Sequence, residues 1–240
     1  LNTGLVVALD DPDLSEAESM ARLLTERVSG FKVGLTLFGA HGSDAIRVVG
    51  RHAPVFCDLK LHDIPEQVRA VASVLTAYRV WMLSVHAAGG SEMVRAAVEA
   101  AAGGEPAPIV AGVTVLTSLS PAALAEVGQG EDPVRQAVRL GLVAVGAGAR
   151  ALVCSGQEVS RIRAAVGPEV MLIVTGIRPA GAAPADQARV ATPEEAAAAG
   201  ADYVVVGRPI TQAADPVLAA DQIIASLRST RRRVPIPRSV

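Results

Sequence analysis

Lysine is nearly absent. Of 22 basic side chains only Lys32 and Lys60 are lysines, and the other 20 are arginines. A compositional bias toward arginine explains the twenty but not where the two lysines remain. Lysine differs from arginine chiefly in a compact ammonium that can give up a proton, and both survivors fall near the ends of predicted strands, which points to chemistry. Aromatic residues are as sparse: three Phe, two Tyr and one Trp leave little for stacking nucleic-acid bases. The net charge of −2 gives no global attraction to nucleic acid or an anionic membrane, so neither is an expected partner. The two cysteines, Cys57 and Cys154, sit in apolar strand-like runs and are expected as buried free thiols. The four histidines, His41, His52, His62 and His86, show no ligand spacing, so no metal site is expected and His86 reads as a packed, hydrogen-bonded side chain. No apolar run reaches membrane-spanning length and no basic-then-apolar leader opens the chain, so a cytoplasmic location is expected.

What is present is a core. Half of the 240 residues are hydrophobic and 19% are charged, which suits one large compact domain. Short Val/Ile/Leu-rich runs recur along the chain, at Gly4–Leu9, Gly30–Val33, Val55–Leu61, Trp81–Val85, Ile109–Val115, Ala151–Cys154, Met171–Val174 and Tyr203–Val206. Stretches with helical apolar spacing separate them, such as Ser15–Val28, with helices also expected from Pro65 and Pro133. Continuous apolar strands alternating with helices indicate a parallel sheet covered on both faces. No Gly-x-Gly-x-x-Gly turn follows the first strand, so the predicted fold is the closed (β/α)₈ TIM barrel, over residues 1–229. Residues 230–240 form a basic, proline-containing tail that reads as a solvated terminus.

One stretch stands apart, Val55-Phe56-Cys57-Asp58-Leu59-Lys60-Leu61-His62-Asp63-Ile64-Pro65. In a strand Asp58 and Lys60 share one face and Leu59 and Leu61 the other. Pro65 suits a first helical turn, which puts Asp63 on the strand-to-helix connection. A surface ion pair and a helix-start aspartate would account for the same residues. Barrel enzymes, however, carry their reacting groups at the C-terminal ends of strands. Those ends here supply Asp10, Lys32, Asp58 with Lys60 and Asp63, His86, Thr117, Ser155, Arg178 and Gly207-Arg208. The two late arginines suit an anion, since phosphate commonly binds after strands seven and eight and guanidinium offers a matching fork. Arg178 opens a Gly/Ala/Pro-rich loop that also carries Asp186, Gln187 and Arg189; Arg189 taken alone reads as solvated.

Asp58-x-Lys60-x-x-Asp63 resembles the signature of the orotidine 5'-monophosphate decarboxylases. Similar blocks follow over essentially the whole chain: Val7–Asp10, Phe31–Gly34, Val85–Ala87, Val115–Ser118, Gly176–Pro179, Asp186–Pro193 and Val206–Thr211. The resemblance implies a cofactor-independent carboxy-lyase that converts orotidine 5'-monophosphate to UMP and CO₂. It implies Lys60 as the proton donor to C6, within a charge array of Lys32, Asp58, Lys60 and Asp63. It further implies a homodimer in which Asp63 comes from the partner subunit. Asp10 would meet the ribose and Thr117 the pyrimidine, with Lys32, Arg178, Gln187, Gly207 and Arg208 as further substrate contacts. The chain departs from the family pattern at Gln67, where Thr is usual near the ribose, at Thr175, where Pro is frequent, and at Thr36, where Glu is common. The signature alone is shared with Mg²⁺-dependent sugar-phosphate lyases such as 3-keto-L-gulonate 6-phosphate decarboxylase. A non-catalytic nucleotide-phosphate-binding barrel is the remaining alternative.

Overall fold

The computed structural model describes residues 3–130, 132–179 and 189–229. Eight parallel strands form a closed barrel in chain order: β1 (Gly4–Leu9), β2 (Gly30–Val33), β3 (Val55–Leu61), β4 (Met82–His86), β5 (Ile109–Val113), β6 (Ala151–Ser155), β7 (Met171–Thr175) and β8 (Tyr203–Val206). Closure is visible at Val6, which lies opposite Gly30 of β2 on one side and Val205 of β8 on the other. The predicted TIM barrel is therefore the observed one.

The helices are α1 (Leu14–Leu24), α2 (Leu35–His41), α3 (Ser43–Val49), α4 (Pro65–Thr76), α5 (Gly90–Ala101), α6 (Pro121–Glu126), α7 (Pro133–Gly146), α8 (Val159–Val166), α9 (Pro193–Ala199), α10 (Arg208–Thr211) and α11 (Pro216–Ser229). Their starts follow sequence chemistry. Asp13 accepts hydrogen bonds from the backbone N–H groups of Ser15 and Glu16, and Asp132 does the same for Val134 and Arg135. Thr192 and Glu195 cap α9 reciprocally. Two helices, α2 and α10, go beyond the expected set. Neither has a side-chain cap and both are short, seven and four residues, so helical periodicity barely registers in them.

Strand alternation divides the apolar residues into two cores. Leu5, Val7, Leu9, Phe31, Cys57, Leu83, Leu152 and Leu172 point outward and pack under the helices. Val6, Ala8, Phe56, Met82, Ala111, Val113, Val153, Ile173 and Val205 fill the barrel interior. The inward parity continues past this plug at the C-terminal mouth, where it delivers Asp10, Lys32, Asp58, Ser84 and Gly207. No helix among the described residues is long and apolar enough to cross a membrane.

Candidate active site

A cleft of about 920 Å³ opens at this mouth, above the interior plug, with Val113, Val153 and Val205 in its floor. Four of its charged side chains form an alternating series. Lys32 Nζ lies 2.8 Å from Asp10 Oδ1 and 3.7 Å from Asp58 Oδ2. Lys60 Nζ lies 2.7 Å from the same Asp58 oxygen. Exposure is least at its centre, 4% for the Asp58 side chain and 10% for Lys32, and rises outward to 28% for Lys60 and 57% for Asp10. Gly34 makes room for it, because a Cβ there would stand 2.6 Å from Asp10 Oδ1 and 2.7 Å from Lys32 Nζ.

Burial alone pushes the Asp58 carboxyl up. The ammoniums of Lys32 and then Lys60, with hydrogen bonds from Lys60 and Ser84, outweigh it and hold the group below its ordinary value. Asp58 is thus a carboxylate at neutral pH, and its contribution to folding is complete above the ordinary carboxylate range and lost as pH falls through the depressed value. The thiol of Cys57 goes the other way, to about 12, driven by burial and then by Asp58. Both cysteines are free and buried, as expected.

Strand β3 is not regular where it carries these groups. Cys57 pairs with Leu83 and Leu61 with Val85, so Asp58, Leu59 and Lys60 share the space opposite a single residue, Ser84. Lys60 lies in the left-handed region, at φ of 51°, a placement that costs about 1–3 kcal/mol for such a residue. Asp58 and Lys60 still face one way, as alternation predicts, while Leu59 and Leu61 pack against the outer core.

The other predicted residues divide into three groups. Asp10, Thr117, Arg178, Gly207 and Arg208 all line the cleft. Asp63 does not; it is exposed after β3, its carboxylate accepting from the Ile64 backbone N–H at 2.6 Å. Within one chain the fourth member of the series is therefore Asp10. Gln187 and Asp186, like the tail 230–240, lie outside the described residues. His86 packs against His62, ring centroids 5.3 Å apart. Burial, then His62 and Lys60, push its imidazole below the usual value, while Asp58 works the other way. No cluster of three His, Cys, Asp or Glu suited to a metal occurs among the described residues.

Arg189 corrects the sequence reading. It is 7% exposed, not solvated, and is paired through Nη1 with Glu158, which is fully buried. Its Nη2 donates to the carbonyls of Val115 (3.2 Å) and Leu116 (2.8 Å), and the second Glu158 oxygen accepts from the Ser155 backbone N–H at 2.9 Å. One guanidinium thus ties together the connections after β5, β6 and β7. The sequence hides this, because Glu158 and Arg189 are far apart along the chain and each alone looks like a surface charge. Burial pushes the Glu158 carboxyl up, with the Ser155 amide and Arg189 opposing. Arg189→Met is expected to lower stability by about 3 kcal/mol, because Glu158 loses its partner, whereas Arg189→Met with Glu158→Leu should recover most of it. Urea unfolding midpoints check this; an unchanged midpoint in the single variant would refute the tie.

Ser84 is the other residue that the sequence reading passed over. It is fully buried, and its hydroxyl donates to Asp58 Oδ1 at 2.8 Å while accepting from the Lys60 backbone N–H at 2.9 Å. The available signal was a lone serine in the apolar run Met82-Leu83-Ser84-Val85.

Comparison with known proteins gives a consistent result. Residues 3–223 match the family model described as "Orotidine 5'-phosphate decarboxylase / HUMPS family". The chain is 53% identical over 229 residues to the orotidine 5'-phosphate decarboxylase of Thermobifida fusca (strain YX), covering 94% of this chain and 96% of that one. It is 46% identical over 231 residues to that of Gluconobacter oxydans (strain 621H), covering 95% and 98% respectively. The crystal structure of orotidine 5'-phosphate decarboxylase from Lactobacillus acidophilus matches with a TM-score of 0.79 at 32% identity, over 94% of this chain and 99% of that one.

Proposed function

The chain belongs to the orotidine 5'-phosphate decarboxylase / HUMPS family, and on that premise we propose that it decarboxylates orotidine 5'-monophosphate to UMP and CO₂, the last step of UMP synthesis, in the cytoplasm. The observation that carries the reading is the Asp10–Lys32–Asp58–Lys60 series beside a cleft that also presents Arg178 and Arg208. In the step itself the C6–carboxylate bond breaks, CO₂ departs, and the electron pair stays on C6. Lys60 then gives its Nζ proton to C6, and solvent restores the ammonium. The Asp58 carboxylate, 2.7 Å from the Lys60 Nζ, holds the donor in place. An array already assembled in the folded protein needs no reorganisation as charge develops at C6.

Substrate placement follows the same layout. Arg208 and Arg178 receive the phosphate, and Gly207 lets the backbone approach it. A Cβ on Gly207 would meet the protein only at ordinary contact distance, 3.5 Å from Ala8 Cβ, so internal packing does not call for glycine there. Asp10 receives the ribose hydroxyls, Thr117 lies by the pyrimidine, and Gln187 completes the substrate contacts.

Asp63 works in a second copy of the chain. Ile64 beside it is 63% exposed, and Val71 and Val74 on α4 are exposed as well. An apolar strip next to a carboxylate with no place in its own cleft suits a homodimer interface.

Turnover is read from the absorbance loss of orotidine 5'-monophosphate with and without EDTA. Equal rates are expected; activity abolished by EDTA would favour the Mg²⁺-dependent sugar-phosphate lyases, and no turnover would refute the assignment. The shared site is tested by mixing Lys60→Ala and Asp63→Ala chains, whose hybrid dimers hold one intact site. Activity should return, and its absence despite measured subunit exchange would exclude a contribution from Asp63 across the interface.

A further inference from the structure

Resting on the assigned decarboxylation, we infer that Ser84 is a positioning residue: its hydroxyl fixes both the Asp58 carboxylate and the left-handed backbone of Lys60, and so sets where the proton donor stands. Three observations combine. First, the β3–β4 ladder breaks between Cys57 and Leu61, and Ser84 is the one β4 residue between the pairing partners Leu83 and Val85. At this break the Ser84 Oγ accepts from the Lys60 N–H, at 2.9 Å. Second, the same hydroxyl spends its only proton on Asp58 Oδ1, at 2.8 Å. That leaves Oδ2 for Lys60 and Lys32, at 2.7 and 3.7 Å, and prevents the carboxylate from rotating away from either. Third, Lys60 is one of two described residues other than glycine with a positive φ, and the other, Arg79, lies in a turn between α4 and β4. A strained conformation at a reacting side chain persists only when its surroundings over-determine it.

Ser84 fits this task by size and chemistry. Its inward neighbours on β4 are Met82, which belongs to the interior plug, and His86, which lies against His62. A longer polar side chain would reach into the space of Asp58, and an apolar one would leave both the Lys60 N–H and an Asp58 oxygen without their partner. The charged and titratable groups facing Asp58 are Lys32 from β2, Lys60 and Cys57 from β3, His86 from β4, and Asp10 beyond Lys32. Neither ammonium can replace a neutral donor to Oδ1 without altering the charge balance of the series.

The test uses the full chain with Ser84→Ala, Ser84→Thr and Ser84→Cys. Ser84→Ala is expected to lower kcat about 10- to 100-fold, the worth of one hydrogen bond to a charged group, with KM within about threefold of the parent. Because the lost donor had favoured ionised Asp58, the acid limb of the kcat profile should move to higher pH; Ser84→Thr should restore both rate and profile. A parental kcat in Ser84→Ala, or a lowered kcat with an unmoved acid limb, overturns the inference. If Ser84→Ala does not fold, Ser84→Cys keeps the size with a weaker donor and must show the same fall and the same displacement. A ¹³C titration of the Asp58 carboxyl is independent of turnover: it should rise in Ser84→Ala, and an unchanged titration refutes the role of Ser84. If the parent fails to decarboxylate the substrate, the functional assignment falls while this titration still judges Ser84.

Discussion

Lys60→Ala is expected to lose about 10⁴-fold in kcat and to unfold at nearly the parental temperature, because both general-acid transfer and a preorganised charge disappear with one side chain. The fold should survive because Asp58 keeps two partners, Lys32 at 3.7 Å and Ser84 at 2.8 Å. Alanine takes the same positive φ at no greater cost than lysine, so the backbone gains no new strain. Lys60→Arg sharpens the result. Guanidinium preserves the charge beside Asp58 but holds its protons too tightly to give one up. A variant that is equally slow with arginine identifies proton donation as the missing function. Parental kcat in either variant would remove Lys60 from the donor role.

Arg208→Ala is expected to raise KM about 100-fold, the loss of a charge-assisted contact to a phosphate held at the rim of the cleft. The phosphate is remote from C6, so its binding energy acts on the chemistry through placement of the pyrimidine. Orotidine without its phosphate provides the control. Against that substrate the parent and Arg208→Ala should have similar kcat/KM, since the arginine then has nothing to hold. An unchanged KM for the phosphorylated substrate would refute the assignment of Arg208.

The barrel was legible because its strands are short, mostly apolar runs of four to seven residues and several of its helices begin at proline or at a capping side chain. Helix α2, by contrast, begins at Gly34 without a side-chain cap, and α10 has only four residues. The Asp58–Lys60 pair was legible because residues two apart in a strand share a face, a relation that survives the break in β3. The break itself was not, since it depends on how β3 and β4 pair and leaves no mark in either sequence. Arg189 was misread for a related reason. Its partners follow two other strands, β5 and β6, so burial is decided by closure of the barrel, not by its Ala/Gly/Pro-rich neighbourhood. Ser84 escaped because a hydroxyl in a strand has many ordinary uses, and its two partners become a pair only in three dimensions.

The short bridge between Ile177 and Ala191 separates two design variables. Arg178 N–H donates to the Ala191 carbonyl at 2.9 Å and Ala191 N–H to the Gly176 carbonyl at 3.3 Å, which pins the two ends of the β7–α9 connection side by side. Arg178 stands just inside one end and Arg189 just inside the other. Placement of the two arginines is thus held by backbone hydrogen bonds and is one variable; the position of Gln187 between them, proposed above as a substrate contact, is the other, and a change in length would disturb it.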